Sequence, residues 1–478
     1  MTRKIVIEPV TRVEGHGKVT IHLDEEGEVA DARFHVTQVR GFEKFCEGRL
    51  FWEMPVITPR ICGICPVSHH LASAKAGDAL LGVEPPPTAK MLRQLMHMAQ
   101  IVQSHSLHFF HLASPDLLFG MDAEPAKRNI IGLISEKPEI AIKGVTLRKF
   151  GQEIIEALGN KKVHPNGAIP GGVNKALPPA ERERFLQQVD SVIADIRFAL
   201  DLLKDYYAQH GKEAAGFATF ASCYLGLVDD NGNLELYDGK LRLRDAKGIT
   251  LEDNVDPKDY LSIIGERVED WSYLKFPYYK KKGYPGGIYR VGPLARLNVA
   301  DGIATPLANE EFHSFKRLSN NGIVEGSLYY HYARMIEALY AAEKAKQLLE
   351  NDLICSTEIW ATSTRFNEEG VGVIEAPRGT LFHHYWIDPS GMIRKVNLIV
   401  ATGHNNAAMN RAVEEVARGF IKGGKLTEGI LNRVEVAIRC YDPCLSCSTH
   451  ALGQMPLVIQ LVSAKGDVVD EMRADRIN

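Results

Sequence analysis

Two Cys-x-x-Cys pairs stand near opposite ends of this 478-residue chain, and any fold it adopts must account for both. The first lies in Arg60-Ile61-Cys62-Gly63-Ile64-Cys65-Pro66-Val67-Ser68-His69 and the second in Asp442-Pro443-Cys444-Leu445-Ser446-Cys447-Ser448-Thr449-His450. Each pair is followed by a histidine, and each has a proline suited to a first helical turn. In the first, Cys65 falls at the helix cap and His69 one turn later on the same face. In the second, Asp442 is placed to cap and Pro443 to open the helix. A helix N-terminus stabilises anions and lowers thiol pKa values, so both sites favour thiolates, the donors that soft metals prefer.

Two bland readings compete. Paired Cys-x-x-Cys motifs usually build a structural zinc site, but the usual spacer is about 15–20 residues; here most of the chain intervenes. A chain this long buries a large core without a zinc knuckle. A thioredoxin-like redox pair needs one such motif inside a βαβ pattern, which neither has. The remaining cysteines, Cys46, Cys223, Cys355 and Cys440, lack iron–sulfur cluster spacing, and eight cysteines are too sparse for a disulfide scaffold.

Charge and hydropathy exclude other classes. With 56 basic and 60 acidic residues the net charge is −4, unlike a nucleic-acid or anionic-membrane binder. No run approaches the ~18–20 apolar residues of a membrane span. Met1 to Glu8 shows no apolar core or cleavage site of a secretory signal, so a soluble, cytoplasmic protein without direct membrane contact is expected. Gly370-Val371-Gly372-Val373-Ile374-Glu375 puts glutamate where a dinucleotide fingerprint needs its third glycine, so no NAD site is expected in this chain.

The pattern along the chain predicts an α+β fold, predominantly helical: a long-helix bundle core with small peripheral antiparallel sheets. Residues 4–41 alternate as three strands, with Asp24-Glu25-Glu26-Gly27-Glu28 as the turn between the last two. Helical patterns cover 66–82, 88–119, 180–211, 309–350 and 406–421. The 309–350 stretch is long enough that it should cross the core or break near Asn320-Asn321-Gly322. Residues 216–307 look irregular and β-containing, with a hairpin turn at Asp229-Asp230-Asn231-Gly232-Asn233. Nothing reads as a linker, so residues 1–450 are expected to form one unit, an N-terminal sheet (1–41) joined to a helical body (42–450).

The two cysteine motifs, one near each end of the chain, resemble the metal-binding signatures of nickel–iron hydrogenase large subunits. The likeness continues, in the family's order, through Arg12-Val13-Glu14-Gly15-His16, Arg40-Gly41-Phe42-Glu43, His164-Pro165 with Gly171-Gly172, Gly292-Pro293-Leu294-Ala295-Arg296 and Glu375-Ala376-Pro377-Arg378-Gly379. The wording around the cysteines is most similar to the cytoplasmic bidirectional NAD-reducing type, with deazaflavin- and viologen-linked relatives as the alternative and a non-hydrogenase structural metal protein as the third.

The resemblance implies a catalytic subunit that reversibly splits dihydrogen. Nickel would bind Cys62, Cys65, Cys444 and Cys447; Cys65 and Cys447 would also hold an iron carrying carbon monoxide and cyanide. Arg378 would sit over the metals, where four thiolates and two cyanides outweigh two divalent cations, with Asp442 orienting it. Glu14 would relay the proton, His69 would hydrogen-bond a bridging sulfur, and Pro377 and Thr402 would flank the iron's ligands. Glu43, the backbone at Leu398 and His450 would hold magnesium. Many relatives have an aspartate where this chain has Ser104, so a charge network through that position is not expected here. Electrons would leave through an iron–sulfur small subunit to a diaphorase module binding NAD and flavin, with no iron–sulfur cluster in this chain. Residues 451–478 would be a precursor extension, removed by a maturation endopeptidase after nickel-insertion proteins have acted; their own pattern, Leu457-Val458-Ile459-Gln460-Leu461-Val462, reads as a strand.

Overall fold

The computed structural model describes residues 4–448, 457–462 and 468–474. The chain opens with an antiparallel sheet of β1 (Lys4–Ile7), β2 (Gly17–Leu23) and β3 (Val29–Val36). Alternation decides its orientation: Val29, Ala32, Phe34 and Val36 of β3 are buried while their neighbours face out.

The helical body is built from α1 (Pro66–Leu81), α2 (Pro87–Leu107), α3 (Pro138–Gly159), α4 (Pro179–Gly216) and α5 (Tyr330–Glu350), with α6 (Asn406–Phe420) and α7 (Glu428–Arg439) closing it. Helix α2 packs on α3 and α5, and α5 packs on α4. Helices α1 and α5 are apolar or small on nearly every face and are buried all round, which is why they occupy the centre. The expected 88–119 helix continues past Leu107 through a π-helical stretch, His108–Ala113, into Ser114–Phe119. The 309–350 pattern does break: Pro306–Lys316 ends before a turn at Ser319–Gly322, and Gly322 takes φ 71°. Helix α4 kinks at His210. The sequence pattern misses α3, whose interior glycines 144 and 151 each lower helix propensity by about 1 kcal/mol, and α7, whose Thr427 cap receives the Ile430 amide.

The 216–307 region carries a four-stranded sheet of β4 (Cys223–Val228), β5 (Lys240–Arg244), β6 (Thr250–Val255) and β7 (Tyr289–Arg290), in the order β7-β4-β5-β6. A second sheet, β8 (Glu369–Ala376), β9 (Gly379–Ile387) and β10 (Ile393–Ile399), is an antiparallel meander that the sequence pattern does not announce, because all nine residues of β9 are buried or nearly so and lack alternation. It lies directly on α1. The Gly370/Gly372 pair finds its use here: a Cβ on Gly372 would sit 2.0 Å from the Ala72 carbonyl oxygen, so only glycine lets β8 cross the helix this closely. Beyond the helical body, β11 (Leu457–Val462) pairs antiparallel with β12 (Val468–Ala474).

One hydrophobic cluster runs from Ile5 to Cys447 and includes all four motif cysteines. No helix among the described residues is long and apolar enough to cross a membrane.

Candidate metal centre

The first motif leaves a 3₁₀ turn, Thr58–Ile61, with Cys62 extended, and Cys65 is the N-cap of α1 with Pro66 at the first helical position, as expected. The second motif departs from expectation in two respects. Its helix begins only at Leu445 and spans Leu445–Ser448, so Asp442 does not cap it and Pro443 does not open it. Asp442 takes φ 53° and its carboxylate turns towards Arg378 instead. The acceptor at that helix start comes from Glu14, whose carboxylate takes hydrogen bonds from the Ser446 amide (3.1 Å) and hydroxyl (2.5 Å), while its carbonyl accepts from the Leu445 amide at 3.1 Å.

The four sulfurs meet. Sγ–Sγ distances are 3.0 Å for Cys62–Cys444, 3.3 Å for Cys65–Cys447 and 2.8 Å for Cys444–Cys447, and all four lie within 4.8 Å of one another. All are free thiols, each no more than 4% exposed. Hydrogen bonds from the Cys444, Cys447 and Cys65 thiols pull Cys62 well below the ordinary thiol range. Burial pushes Cys444 and Cys447 well above it, because several uncompensated thiolates cannot coexist in so small a volume. The donor set therefore suits a soft cation that supplies the missing positive charge. On one side Cys65, Cys444 and Cys447 border a cavity of about 10 Å³, lined also by Ser68, His69, Pro377, Arg378 and Thr402. An open side is what distinguishes a reactive metal site from a closed structural one.

Arg378 occupies the two-residue turn between β8 and β9 and is 3% exposed. Its Nε donates to the Asp442 carbonyl (2.6 Å), Nη2 to the Asp442 carboxylate (3.0 Å) and Nη1 reaches Ser104 Oγ at 3.4 Å. Burial opposes its charge, but Asp442 and the cysteines more than compensate and hold the guanidinium pKa well above its ordinary value. Behind the turn sits a support that sequence reasoning noticed only as a motif. Fully buried Arg296 bridges Glu337 (2.6 Å) and Glu375 (2.8 Å) and donates to the carbonyls of Ala376 and Pro377. Burial disfavours the Glu337 carboxylate, yet Arg296 outweighs it and holds that pKa below its usual value; burial wins at Glu375, which is raised. The signal for Glu337 was within reach: an acid inside a helix with no polar face needs a buried cation.

Of the other expected residues, His69, Thr402 and Pro377 lie against the sulfurs or the cavity. His69 Nε2 is 3.3 Å from the Cys447 sulfur. Thr402 Oγ1 accepts from the Cys444 amide at 2.8 Å and borders the cavity, as does Pro377. Glu43 accepts from the Leu398 amide at 2.7 Å. His450 lies outside the described residues.

Comparison with known proteins accords with this geometry. The family profile described as nickel-dependent hydrogenase matches residues 40–131 and 229–450, and a profile described as HoxL-like matches 4–39. This chain belongs to the nickel-dependent hydrogenase family. Among hydrogenases similar to it, the NAD-reducing hydrogenase HoxS subunit beta of Cupriavidus necator is 48% identical, with 98% of this chain and 99% of that one covered. An F420-non-reducing hydrogenase chain of Methanothermobacter thermautotrophicus is 43% identical over 98% and 99% of the two chains. A crystal structure of an NAD+-reducing [NiFe]-hydrogenase in the H2-reduced state superposes with a TM-score of 0.92 at 48% identity, covering 94% of this chain and 100% of that one. The Ni-Fe-Se hydrogenase of D. vulgaris Hildenborough, 23% identical with a TM-score of 0.76 over 94% of this chain and 100% of that one, shares the fold.

Proposed function

We propose that this chain is the catalytic large subunit of a cytoplasmic nickel–iron hydrogenase that interconverts dihydrogen with protons and electrons, the electrons passing through an iron–sulfur small subunit to a diaphorase module that binds flavin and NAD. The meeting of four buried sulfurs from the two ends of the chain beside an open cavity carries this reading. A nickel–iron pair, with nickel on all four sulfurs, iron on Cys65 and Cys447 and carbon monoxide and cyanide on the iron, would supply the electrophilic centre for heterolytic cleavage of dihydrogen.

The chain's own residues do the rest. Arg378, locked by Asp442, sets a fixed cation at the cavity wall, offsetting buried negative charge and polarising a molecule that enters. Pro377 and Thr402 shape the wall beside it. His69 orients the Cys447 sulfur. Glu14 takes the proton that leaves by the Cys444–Cys447 segment, to which it is already hydrogen-bonded. Glu43, the backbone at Leu398 and His450 would hold magnesium. The electron relay is assigned to a partner because the 48% identical relative is named as one subunit of an NAD-reducing hydrogenase.

The NAD linkage rests on the 48% identical relative; the F420-non-reducing relatives at 43–47% identity make another acceptor the second reading. Residues 1–450 act as the functional unit, and 451–478 are removed by an endopeptidase once nickel-insertion proteins have loaded the site. One fact supports this: the family match stops at residue 450.

Infrared spectra of the purified complex test the reading: carbonyl and cyanide stretches are expected, and Cys447→Ser should abolish them together with hydrogen-dependent dye reduction. Zinc alone in elemental analysis would overturn it. Hydrogen-dependent NADH formation separates NAD from other acceptors.

A further inference from the structure

Behind His69 lies a chain of hydrogen bonds that the reaction as derived does not use. His69 and Ser73 stand four residues apart on one face of α1; His383 and Tyr385 stand two apart on one face of β9. Helix and strand periods therefore bring two pairs into register. His69 Nδ1 is 3.0 Å from His383 Nε2, His383 Nδ1 is 2.5 Å from the Tyr385 hydroxyl, and that hydroxyl is 3.1 Å from Ser73 Oγ. All four side chains are at most 1% exposed. The far end of the chain is the 3.3 Å contact from His69 Nε2 to the Cys447 sulfur.

We propose that Tyr385 and His383 are positioning residues that force His69 to present an Nε2–H to the sulfur of Cys447. The inference deepens the proposed function and rests on Cys447 being a metal-bound thiolate. Such a sulfur can only accept, so His69 must donate from Nε2. A neutral His69 then has a lone pair on Nδ1, which requires an Nε2–H on His383, which in turn leaves His383 Nδ1 to accept. The donor that ends the series is the Tyr385 hydroxyl, whose single proton then goes to His383 rather than to Ser73 Oγ, the other acceptor within its reach. Every proton points towards the metal site, and the tautomer of a ring that touches the ligand is decided by a phenol two residues removed. Such outer partners fix ring orientation and tune the electron density of the ligand they support.

Two measurements test this. The first uses the full chain with its sulfurs loaded with zinc alone, a diamagnetic probe that requires thiolates but no iron. In ¹⁵N-histidine NMR, wild-type His69 (assigned by its loss in His69→Gln) is expected as the Nε2–H tautomer, and Tyr385→Phe is expected to turn it into a mixture or into the Nδ1–H form. A wild-type His69 in the Nδ1–H form, or an unchanged tautomer in Tyr385→Phe, overturns the proposal. The second uses the assembled complex: Tyr385→Phe and His383→Leu should shift the carbonyl and cyanide stretches to lower wavenumber at unchanged nickel content. His383→Gln, whose amide can still donate to His69, should restore the wild-type positions. A residue with a merely structural role would lower thermal stability in all three variants and leave band positions alone, which would refute the assignment. Should wild type show no such bands, the nickel–iron reading falls, and the zinc experiment still decides the tautomer.

Discussion

Arg378 grips Asp442 twice, through the carboxylate at 3.0 Å and through the backbone carbonyl at 2.6 Å, and so ties the tip of a hairpin to the residue two places before Cys444. The contact fixes a cation beside the four sulfurs and fixes the strap that brings half of them. Lysine could keep the charge but not the planar fork.

Arg378→Lys is therefore expected to keep nickel while hydrogen oxidation falls about 10²–10³-fold, the usual cost of one misplaced electrostatic donor. Metal analysis and dye reduction on the same sample check this; wild-type activity would refute it.

Glu14→Gln separates proton transfer from positioning. The amide oxygen can still accept from Ser446, so the Cys444–Cys447 segment should stay in place and metal content should not change. Turnover is expected to drop about 10²–10⁴-fold, the range for losing a general base. Unchanged turnover, measured beside the infrared bands, would remove Glu14 from the proton path.

Loading the site should release protons. Cys444 and Cys447 are held as thiols in the metal-free chain by burial, yet a metal needs both as thiolates. Titrating zinc into weakly buffered metal-free protein at pH 7 is expected to free at least two protons per metal bound, read with an indicator dye.

Arg296 anchors the Arg378 turn from behind, between two fully buried glutamates. Arg296→Met should cost about 3–5 kcal/mol, because it strands buried carboxylates. Adding Glu337→Gln and Glu375→Gln should recover much of that in chemical denaturation, since removing a buried charge set together costs far less than breaking it.

His70 sets an acid limit on stability. Its Nδ1 is 2.6 Å from the Pro55 carbonyl and its Nε2 accepts from the Ala168 amide, so a second ring proton would confront an N–H. Burial brings its pKa from 6.5 down to about 4. The unfolded chain takes up a proton that the native state refuses, so this contribution is whole above pH 6.5 and lost as pH falls towards 4. The loss amounts to about 3 kcal/mol, and the decline in unfolding free energy over that window should flatten in His70→Leu.

Much of the centre was legible beforehand for a simple reason: the chemistry-bearing residues cluster in short motifs. Cys62, Cys65 and His69 lie within two helical turns, and Glu375 to Gly379 make a single hairpin tip. The N-terminal strands and the break after Lys316 could be read from alternation and from Asn320-Asn321-Gly322. The β8–β10 sheet could not, because a strand buried on both faces shows no alternation, and α3 was obscured by its glycines. Asp442 was open to two readings, a cap and a partner for Arg378, because the two look the same in one dimension; only the fold, which brings Arg378 to it, decides for the partner.

The amino-acid order by itself determined which atoms are available: four thiols in two short pairs, a proline at the start of α1, and a chain long and apolar enough to bury them. Tertiary packing alone decided that the pairs meet, that Glu14 rather than Asp442 holds the second motif's helix, and that His383 and Tyr385 stand behind His69. Local propensity acts over a few residues, whereas these contacts join segments hundreds of residues apart. They exist only because burial of the common core pays the entropy of bringing the ends of the chain together.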